Sequence, residues 1–261
     1  MIKNALSLSL LWLITLAFQS SINGQGMKID TGKFKNWWVD SEGNIFLQKT
    51  ASIEKYDTQG TKIAVWNSPK QMEIHSFDVS NNFKIAVFFE QFDCLILLNQ
   101  QLIEISPLFD LQQRMFDIVA VCNTSDGKFW VADGIQNTLS KLRENFSTEF
   151  SFTFSWHGNT NSIKKMKEFN QQLFIFLEDR WLILDLFGQK ISELQLSGAE
   201  QVQLSYPKTL VVDNDLLIEL DLSDFSIKEL FPLNPGYKAA FRYKKNLYLF
   251  GEQSFEIVEA F

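Results

Sequence analysis

Histidine is the side chain most often used for proton transfer and zinc binding, and this chain has two, His75 and His157. Neither has a cysteine or a carboxylate at the spacing of a zinc site, so zinc lacks a plausible set of ligands. We therefore expect each histidine to be a loop or strand-edge residue.

Two aspartates, Asp213 and Asp215 in the segment VVDNDLL, resemble a fragment of a calcium-binding loop. The segment lacks the glycine and the distal glutamate that such a loop requires, and a turn between two strands accounts for it. The chain also has no G-x-S-x-G nucleophile motif and no phosphate-binding glycine loop. The sequence therefore predicts no catalytic residue, no metal site, no cofactor and no small-molecule ligand.

Cys94 and Cys122 are the two cysteines of the chain, and both lie inside apolar runs. An oxidising compartment would permit one disulfide between them. A chain of this size needs no such cross-link, and disulfide geometry tolerates little error. We expect two buried thiols that act as small hydrophobic side chains, with the disulfide as the alternative.

Aromatic rings and lysines offer two further kinds of site. Five tryptophans could stack on sugars, but four of them fall within predicted inner strands, which favours core packing: Trp37, Trp38, Trp66, Trp130 and Trp181. Three lysines in the segment SIKKMKEF could form a small basic patch: Lys164, Lys165 and Lys167. Their alternation with Ile163 and Met166 is more typical of a solvated strand face or a loop, so we assign them no role.

The composition favours a large all-β protein. Of the 261 residues 46% are hydrophobic and 25 are Phe, which suits strands better than helices. Glycine (12) and proline (5) are scarce, which argues against disorder. The formal net charge of -7 argues against a nucleic-acid partner, because such proteins collect Lys and Arg on one face.

Residues 1–25 have the pattern of a secretory signal peptide. Lys3 supplies the positive start, Ala5–Phe18 the apolar segment, and Gln19–Gln25 a polar stretch with small residues for cleavage. A membrane anchor is the alternative, but the apolar segment is shorter than the roughly 20 residues that a spanning helix needs. We expect a soluble mature protein in an exported compartment.

The rest of the chain repeats one pattern, an apolar run, a polar turn and a second apolar run. Between Phe77 and Ile103, KIAVFF and CLILL are continuous apolar runs that suit strands buried on both faces. Six such units follow one another, and their third strands lie 42, 44, 43, 35 and 38 residues apart, at Ile53, Leu95, Leu139, Leu182, Leu217 and Phe255. This period predicts an all-β, six-bladed β-propeller of four-stranded antiparallel blades.

Local signals place the turns and the ends of the strands. Asp40–Gly43 and Asp57–Gly60 are turn sequences in which glycine supplies a positive φ. In the second unit we expect a fourth strand around Leu102–Ile105. The sixth unit stops after its third strand, so Met27–Asp30 is expected to pair with Phe255–Glu259, complete the last blade and close the ring. Residues 26–261 would then form a single domain. A β-solenoid or an open stack of repeats is the alternative to the closed ring.

A family resemblance adds to this pattern. The stretch from Phe77 to Leu102, with its DVSN turn, resembles the signature blade of a family of exported propellers. TSDGKFW (Thr124–Trp130) and LILDLFGQKI from Leu182 resemble further parts of that family in the same order, although the family usually has proline in place of Asn82. The family is similar to the plug subunit of the type IX secretion translocon, a periplasmic propeller that closes a very large outer-membrane β-barrel.

Two functions of different class follow. The resemblance implies a non-catalytic periplasmic interaction protein that occludes or gates the periplasmic opening of an outer-membrane secretion channel, held at the membrane by its β-barrel partner and not itself an integral membrane protein. The alternative is a binding module or hydrolase that uses the central funnel for a carbohydrate or peptide. An enzyme should carry several polar residues on its innermost strands. Those strands carry mainly Val, Ala, Phe and Lys here, which favours the first function.

Overall fold

The computed structural model describes residues 26–81, 83–112, 117–154, 158–196 and 201–259. The predicted signal peptide (1–25), Asn82 and His157 lie outside these ranges. No helix in the described part of the chain is both long and apolar enough to cross a membrane.

The described strands form six antiparallel sheets. In chain order the strands are β1 (Met27–Asp30), β2 (Asn36–Val39), β3 (Ile45–Gln48), β4 (Ser52–Tyr56), β5 (Lys62–Asn67), β6 (Ser76–Asp78), β7 (Ile85–Phe89), β8 (Cys94–Leu98), β9 (Phe109–Asp110), β10 (Ile118–Asn123), β11 (Phe129–Asp133), β12 (Thr138–Leu142), β13 (Thr148–Thr153), β14 (Lys165–Phe169), β15 (Gln172–Phe176), β16 (Trp181–Asp185), β17 (Lys190–Leu194), β18 (Lys208–Asp213), β19 (Leu216–Asp221), β20 (Ile227–Pro232), β21 (Ala239–Tyr243), β22 (Asn246–Phe250) and β23 (Ser254–Glu259). Sheets 1 to 4 are β2–β5, β6–β9, β10–β13 and β14–β17, sheet 5 is β18–β20, and sheet 6 is β21–β23 with β1.

The six sheets give the chain the six-bladed β-propeller fold that the repeats predict. The described residues divide into two compact units. The large unit (residues 34–204) holds sheets 1 to 4, and the small unit (residues 26–33 and 205–259) holds sheets 5 and 6. That residues 26–261 form a single domain stays a prediction.

Burial follows the position of a strand in its sheet. All five residues of β7 and all five of β8 are buried, as their continuous apolar sequences predict. The outer strand β13 instead has exposed residues at alternate positions, because its outer face meets solvent. In the large unit the first strands of neighbouring sheets pack together, with β10 in contact with both β6 and β14.

The predicted glycine turns are present. Gly43 and Gly60 have φ of 88° and 76°, in the left-handed region that favours glycine. Each closes a turn by donating its N–H to the carbonyl of the aspartate three residues earlier, Asp40 or Asp57. The carboxylate of that aspartate accepts two further backbone N–H groups, so the turn is held by its own first residue.

Sheet 2 differs from the sequence prediction at its outer edge. The expected strand at Leu102–Ile105 was wrong, because the fourth strand is β9, which pairs Phe109 with Leu95. Leu102 has a φ of 61° and donates its N–H to the carbonyl of Asn99, so it lies in a turn. The expected region contributes a single bridge, between Glu104 and Leu98.

The small unit contains the N-terminal pairing and one incomplete sheet. β1 pairs with β23, with Met27 opposite Ile257 and Ile29 opposite Phe255, which is the expected partner strand. Sheet 5 has three strands in place of the expected four. Its last strand, β20, has the exposed pattern of an outer strand, and residues Gln201–Leu204 precede β18 without entering a sheet.

Candidate functional site

The large unit has a cavity of about 380 Å³ at the end where its first strands begin. The wall includes residues at or near the starts of β2, β6, β10 and β14, among them Asn36, His75, Val119 and Lys164. We call this end of the unit the cavity end, and the end where the first strands finish the far end. A volume of this size lies in the range of small-ligand pockets.

The cavity wall is positively charged, although the protein as a whole carries -7. Four lysines line it, Lys35, Lys164, Lys165 and Lys167, against the two carboxylates of Asp78 and Glu90. A concave surface with an excess of one sign of charge favours ligands of the opposite sign.

The lysines of the wall differ in their partners. Lys35 forms an ion pair with Glu73, and that contact lowers the pKa of the Glu73 carboxyl. Lys165 donates to the backbone carbonyl of Val202 at 3.2 Å. Lys164 is exposed and makes no ion pair with another described residue.

The floor of the cavity contains a buried ion pair. Lys167 pairs with Asp78, and its ammonium group lies 3.9 Å from the centre of the Trp38 ring. Asp78 also accepts the N–H groups of Ser80 and Asn123 at 2.8 and 2.9 Å. Burial by itself raises the pKa of Asp78, but Lys167 and the Ser80 bonds outweigh it and hold that pKa below its usual value.

Gln48 forms another part of the wall, and only the nitrogen of its side-chain amide is hydrogen-bonded. Its amide nitrogen donates to the backbone carbonyls of Ile74 and His75 at 2.8 and 3.2 Å. Two carbonyl acceptors require the NH₂ group on that side, which sets the orientation of the amide. The buried Oε1 atom is left with no hydrogen-bond partner in the described structure.

His75 is the strand-edge residue that the sequence predicts, directly before β6. Its Nδ1 lies 2.9 Å from a carboxylate oxygen of Glu90, and its ring meets the edge of Phe88 with centroids 5.7 Å apart. The pair lies at the rim of the cavity. In the part of the chain that the structure describes, no cluster of three or more His, Cys, Asp or Glu residues could hold a metal ion.

A second buried carboxylate, Glu168, ties sheets 3 and 4 together at the far end. Its Oε2 accepts the indole N–H of Trp130 at 2.8 Å, and its Oε1 accepts the backbone N–H and the hydroxyl of Ser125 at 2.9 and 2.6 Å. Lys141 lies 3.9 Å away. These partners bond each carboxylate oxygen, so Glu168 is structural.

The remaining candidates from the sequence take structural positions. Asp215 lies in the turn between β18 and β19 with a φ of 61°, as the turn interpretation of Asp213 and Asp215 requires. Cys94 and Cys122 are buried and free, so the disulfide is not formed. Burial raises the pKa of both thiols.

The expectation for the aromatic residues holds, whereas that for the lysines fails at Lys167 and holds at the exposed Lys164. All five tryptophans are buried, and Trp37, Trp130 and Trp181 are among the largest fully buried side chains, so they have no free face for a sugar. Lys167 was expected on a solvated face or loop but is buried in an ion pair. The alternation with Ile163 and Met166 could not reveal this, because the carboxylate partner lies in another sheet.

The first strands are also more polar than expected. β14 carries the buried Lys167 and Glu168, β6 ends in the buried Asp78, and β10 ends in the buried Asn123. The KMKEF segment carries these charges in the sequence, but alternation of lysine with apolar residues is equally typical of a solvated strand face.

Large apolar side chains are exposed at turns of the large unit. At the far end Phe83 is 79% exposed, Phe187 75% and Ile103 61%. At the cavity end Ile135 is 70% exposed and Phe92 45%. The far-end residues come from turns that follow a first or third strand, and the cavity-end residues from turns that follow a second strand.

Comparisons with known proteins identify the fold. No protein-family model and no curated protein sequence matches the chain. Among solved structures, virginiamycin B lyase from Staphylococcus aureus, in a catalytically inactive form with quinupristin, has a TM-score of 0.61 at 9% identity, covering 91% of this chain and 99% of the lyase. The Pan2 WD40 domain of Neurospora crassa has a TM-score of 0.61 at 10% identity, covering 87% and 89%.

A protein of unknown function from Bacteroides caccae has a TM-score of 0.52 at 12% identity, covering 86% of this chain and 82% of its own. Identities this low carry information on the fold and none on chemistry. The chain is therefore similar to these proteins as a β-propeller.

Proposed function

We propose that the protein is a non-catalytic, periplasmic interaction protein that occludes or gates the periplasmic opening of an outer-membrane protein-secretion channel. The observation that carries the proposal is the exposure of Phe83, Ile103 and Phe187 at the far end of the large unit. The sequence resemblance to the translocon plug supplies the identity of the partner, a large outer-membrane β-barrel.

Exposed aromatic and aliphatic side chains at the ends of rigid hairpins suit a protein contact. Phe187 lies in the four-residue turn between β16 and β17, so little conformational entropy is lost when a partner covers it, and Phe83 lies in the six-residue connection between β6 and β7. Burial of apolar surface contributes roughly 25 cal/mol per Å², and a few aromatic residues usually supply most of an interface's free energy. A sheet-stacked core resists deformation, which is a useful property for a part that closes a wide pore.

The proposal can be tested with two matched double variants. Phe83→Ser with Phe187→Ser removes apolar surface at the far end, and Phe92→Ser with Ile135→Ser does so at the cavity end. We expect the far-end variant, tagged and purified from membranes, to lose at least about tenfold of its associated β-barrel, and the control to keep it. Cells with the far-end variant should admit large antibiotics while still secreting protein.

The channel proposal is refuted if no outer-membrane β-barrel co-purifies with the unmodified protein. It is also refuted if a strain that lacks the protein keeps an outer membrane impermeable to large antibiotics. Because all four residues are exposed, circular dichroism should show folded protein in both variants.

A second candidate function is a binding module or hydrolase that uses the central cavity for a carbohydrate or peptide. The positively charged cavity, whose exposed Lys164 makes no ion pair with another described residue, favours a binding function of this kind. Retention of ligand binding by the far-end variant, together with an intact permeability barrier in the deletion strain, would favour it over the channel function.

A further inference from the structure

The strand β5 forms the outer edge of sheet 1, in the large unit. In the described part of the chain it pairs with β4 and with no other strand. The N–H of Ser68, directly after β5, donates to the carbonyl of Ala51. Because backbone groups alternate in direction along a strand, those of Trp66 also face β4, and those of Val65 and Asn67 face the outer edge. This edge therefore presents backbone donors and acceptors that another strand can bond.

The side chains of β5 that meet solvent are apolar. Ile63 is 52% exposed and Val65 48%, whereas Ala64 between them packs against the core on the opposite face of the sheet. No charged residue lies between Ile63 and Asn67. Isoleucine, valine and tryptophan also favour the extended conformation. The strand thus has an apolar, uncharged edge of the kind that pairs with other strands.

The other outer strands carry protection that β5 lacks. β1, β17 and β20 have charged residues at exposed positions, and β20 also ends in Pro232. The exposed positions of β13 are threonine, glutamate and serine, and β9 has only two residues. Charge, proline and short length all disfavour pairing at an edge. A register shift is common to β5, β13, β17 and β20, so it does not set β5 apart.

We propose that β5 pairs with β5 of a second copy of the protein, antiparallel and with Val65 at the twofold axis. In this register the outward N–H and carbonyl of each Val65 bond the same groups of the other copy, and Ile63 lies opposite Asn67. The exposed Ile63 and Val65 side chains of both copies then form one apolar cluster, because opposite and diagonal neighbours on one face lie within contact distance. The antiparallel direction also keeps the two Lys62 side chains apart.

The match of the strand with itself favours a second copy over another protein as the partner. A twofold axis satisfies both free edges at once, so the pair closes and leaves no edge of β5 for further chains. The run from Ile63 to Trp66 has no charge that would select a partner of opposite charge. One short strand from each copy makes a small interface, and we expect a dissociation constant of about 1–100 µM. β5 contains none of the residues on which the channel proposal depends, so either proposal can fail without the other.

The test is sedimentation equilibrium of the purified protein between about 1 and 200 µM, at about 0.15 M salt to screen the net charge. We expect the unmodified protein to show a monomer–dimer equilibrium. Val65→Lys places two like charges opposite each other and should weaken dimerisation at least about tenfold. Ile191→Lys, at a position of β17 that is 46% exposed, is the matched control and should leave dimerisation within about twofold. Both positions are exposed, so both variants should fold.

A mixture of charge variants separates self-pairing from a general loss of apolar surface. Val65→Lys and Val65→Glu should each dimerise weakly by themselves, because like charges meet at the axis. An equimolar mixture should form a heterodimer, because there the opposite charges meet. Val65→Cys should give a disulfide-linked dimer under mild oxidation, since the Cα atoms of such a hydrogen-bonded pair lie about 5.5 Å apart. Cys94 and Cys122 are buried and should not compete.

Three results would overturn the proposal. They are a monomer at about 200 µM for the unmodified protein, equal effects of Val65→Lys and Ile191→Lys on dimerisation, and the absence of a heterodimer in the mixture. A monomer that loses a co-purifying protein in the Val65→Lys variant alone would also overturn it, and would assign the edge to a strand of that other protein.

Discussion

The side-chain amide of Gln203 pairs with both backbone groups of Val39, as a neighbouring strand would. The Val39 N–H donates to Oε1 of Gln203 at 2.8 Å, and Nε2 of Gln203 donates to the Val39 carbonyl at 2.6 Å. Both residues are buried, and Gln203 lies in the segment that enters no sheet. The side chain thus satisfies two buried backbone groups that no strand satisfies.

This pairing predicts a marked loss of stability on Gln203→Met. The variant keeps the length of the side chain but leaves the N–H and the carbonyl of Val39 buried without partners. Each such group costs about 1–3 kcal/mol, so we expect the free energy of unfolding to fall by about 2–6 kcal/mol in urea denaturation. Gln59→Met, on an exposed turn, is the control and should change it by less than about 0.5 kcal/mol. Equal stabilities would show that the Gln203 bonds contribute nothing.

The buried pair of Lys167 and Asp78 predicts a strong effect of removing one partner. Lys167→Met leaves the Asp78 carboxylate buried without its cation, and breaking such pairs costs about 3–5 kcal/mol. The double variant with Asp78→Asn should recover part of the loss, because the uncompensated charge is gone. A double variant that is no more stable than Lys167→Met would contradict this account.

The pH dependence of stability should change with the same pair. The pKa of Asp78 is lowered in the folded protein, so its contribution is present above the unfolded value, near 4, and is lost as the pH falls through the lower folded value. Without Lys167 burial dominates and the pKa of Asp78 should rise. Acid should therefore destabilise the Lys167→Met variant less than the unmodified protein, as thermal melts between about pH 7 and 3 would reveal. If the melting temperatures of the variant and the unmodified protein fall in parallel as the pH is lowered, the prediction is refuted.

We expect protonation of Asp126 to cause a smaller loss of stability in acid than protonation of Asp78. Partial burial raises its pKa, but bonds from Thr124, Lys128 and Lys141 outweigh this and lower the pKa to about 2. Its contribution to stability is present above about pH 4 and is lost towards pH 2. We expect Asp126→Asn to flatten the acid limb of the stability curve, and added salt to reduce the difference because the carboxylate is half exposed. A steeper acid limb in the variant would contradict this.

Deletion of residues 26–32 should lower the melting temperature cooperatively. The deletion removes β1 and leaves β23 as an edge strand. The backbone of Phe255, for example, loses Ile29 as its partner. Lys28→Ala, which keeps the strand, is the control and should melt close to the unmodified protein. An unchanged melting temperature in the deletion would show that β1 adds nothing to sheet 6.

Features that depend on residues close together in the chain could be predicted from the sequence. The burial of β7 and β8 follows from continuous apolar runs, and the turns at Gly43 and Gly60 follow from backbone angles that glycine adopts at little cost. The repeat period predicted six sheets because each unit carries the same local pattern. The pairing of Met27–Asp30 with β23 could be predicted because the sixth unit has only three strands and an unassigned strand precedes the first unit.

Tertiary structure decided the features that join residues far apart in the chain. Lys167 and Asp78 come from different sheets, and each alone resembles a surface residue, so no local pattern could reveal their burial. The same holds for Gln203 and Val39, which are 164 residues apart. The charge of the cavity wall depends on the starts of β2, β6, β10 and β14 lying close together, which sheet packing decides. Sequence periodicity sets the faces of a strand, whereas packing between sheets decides which charged side chains are buried and neutralised.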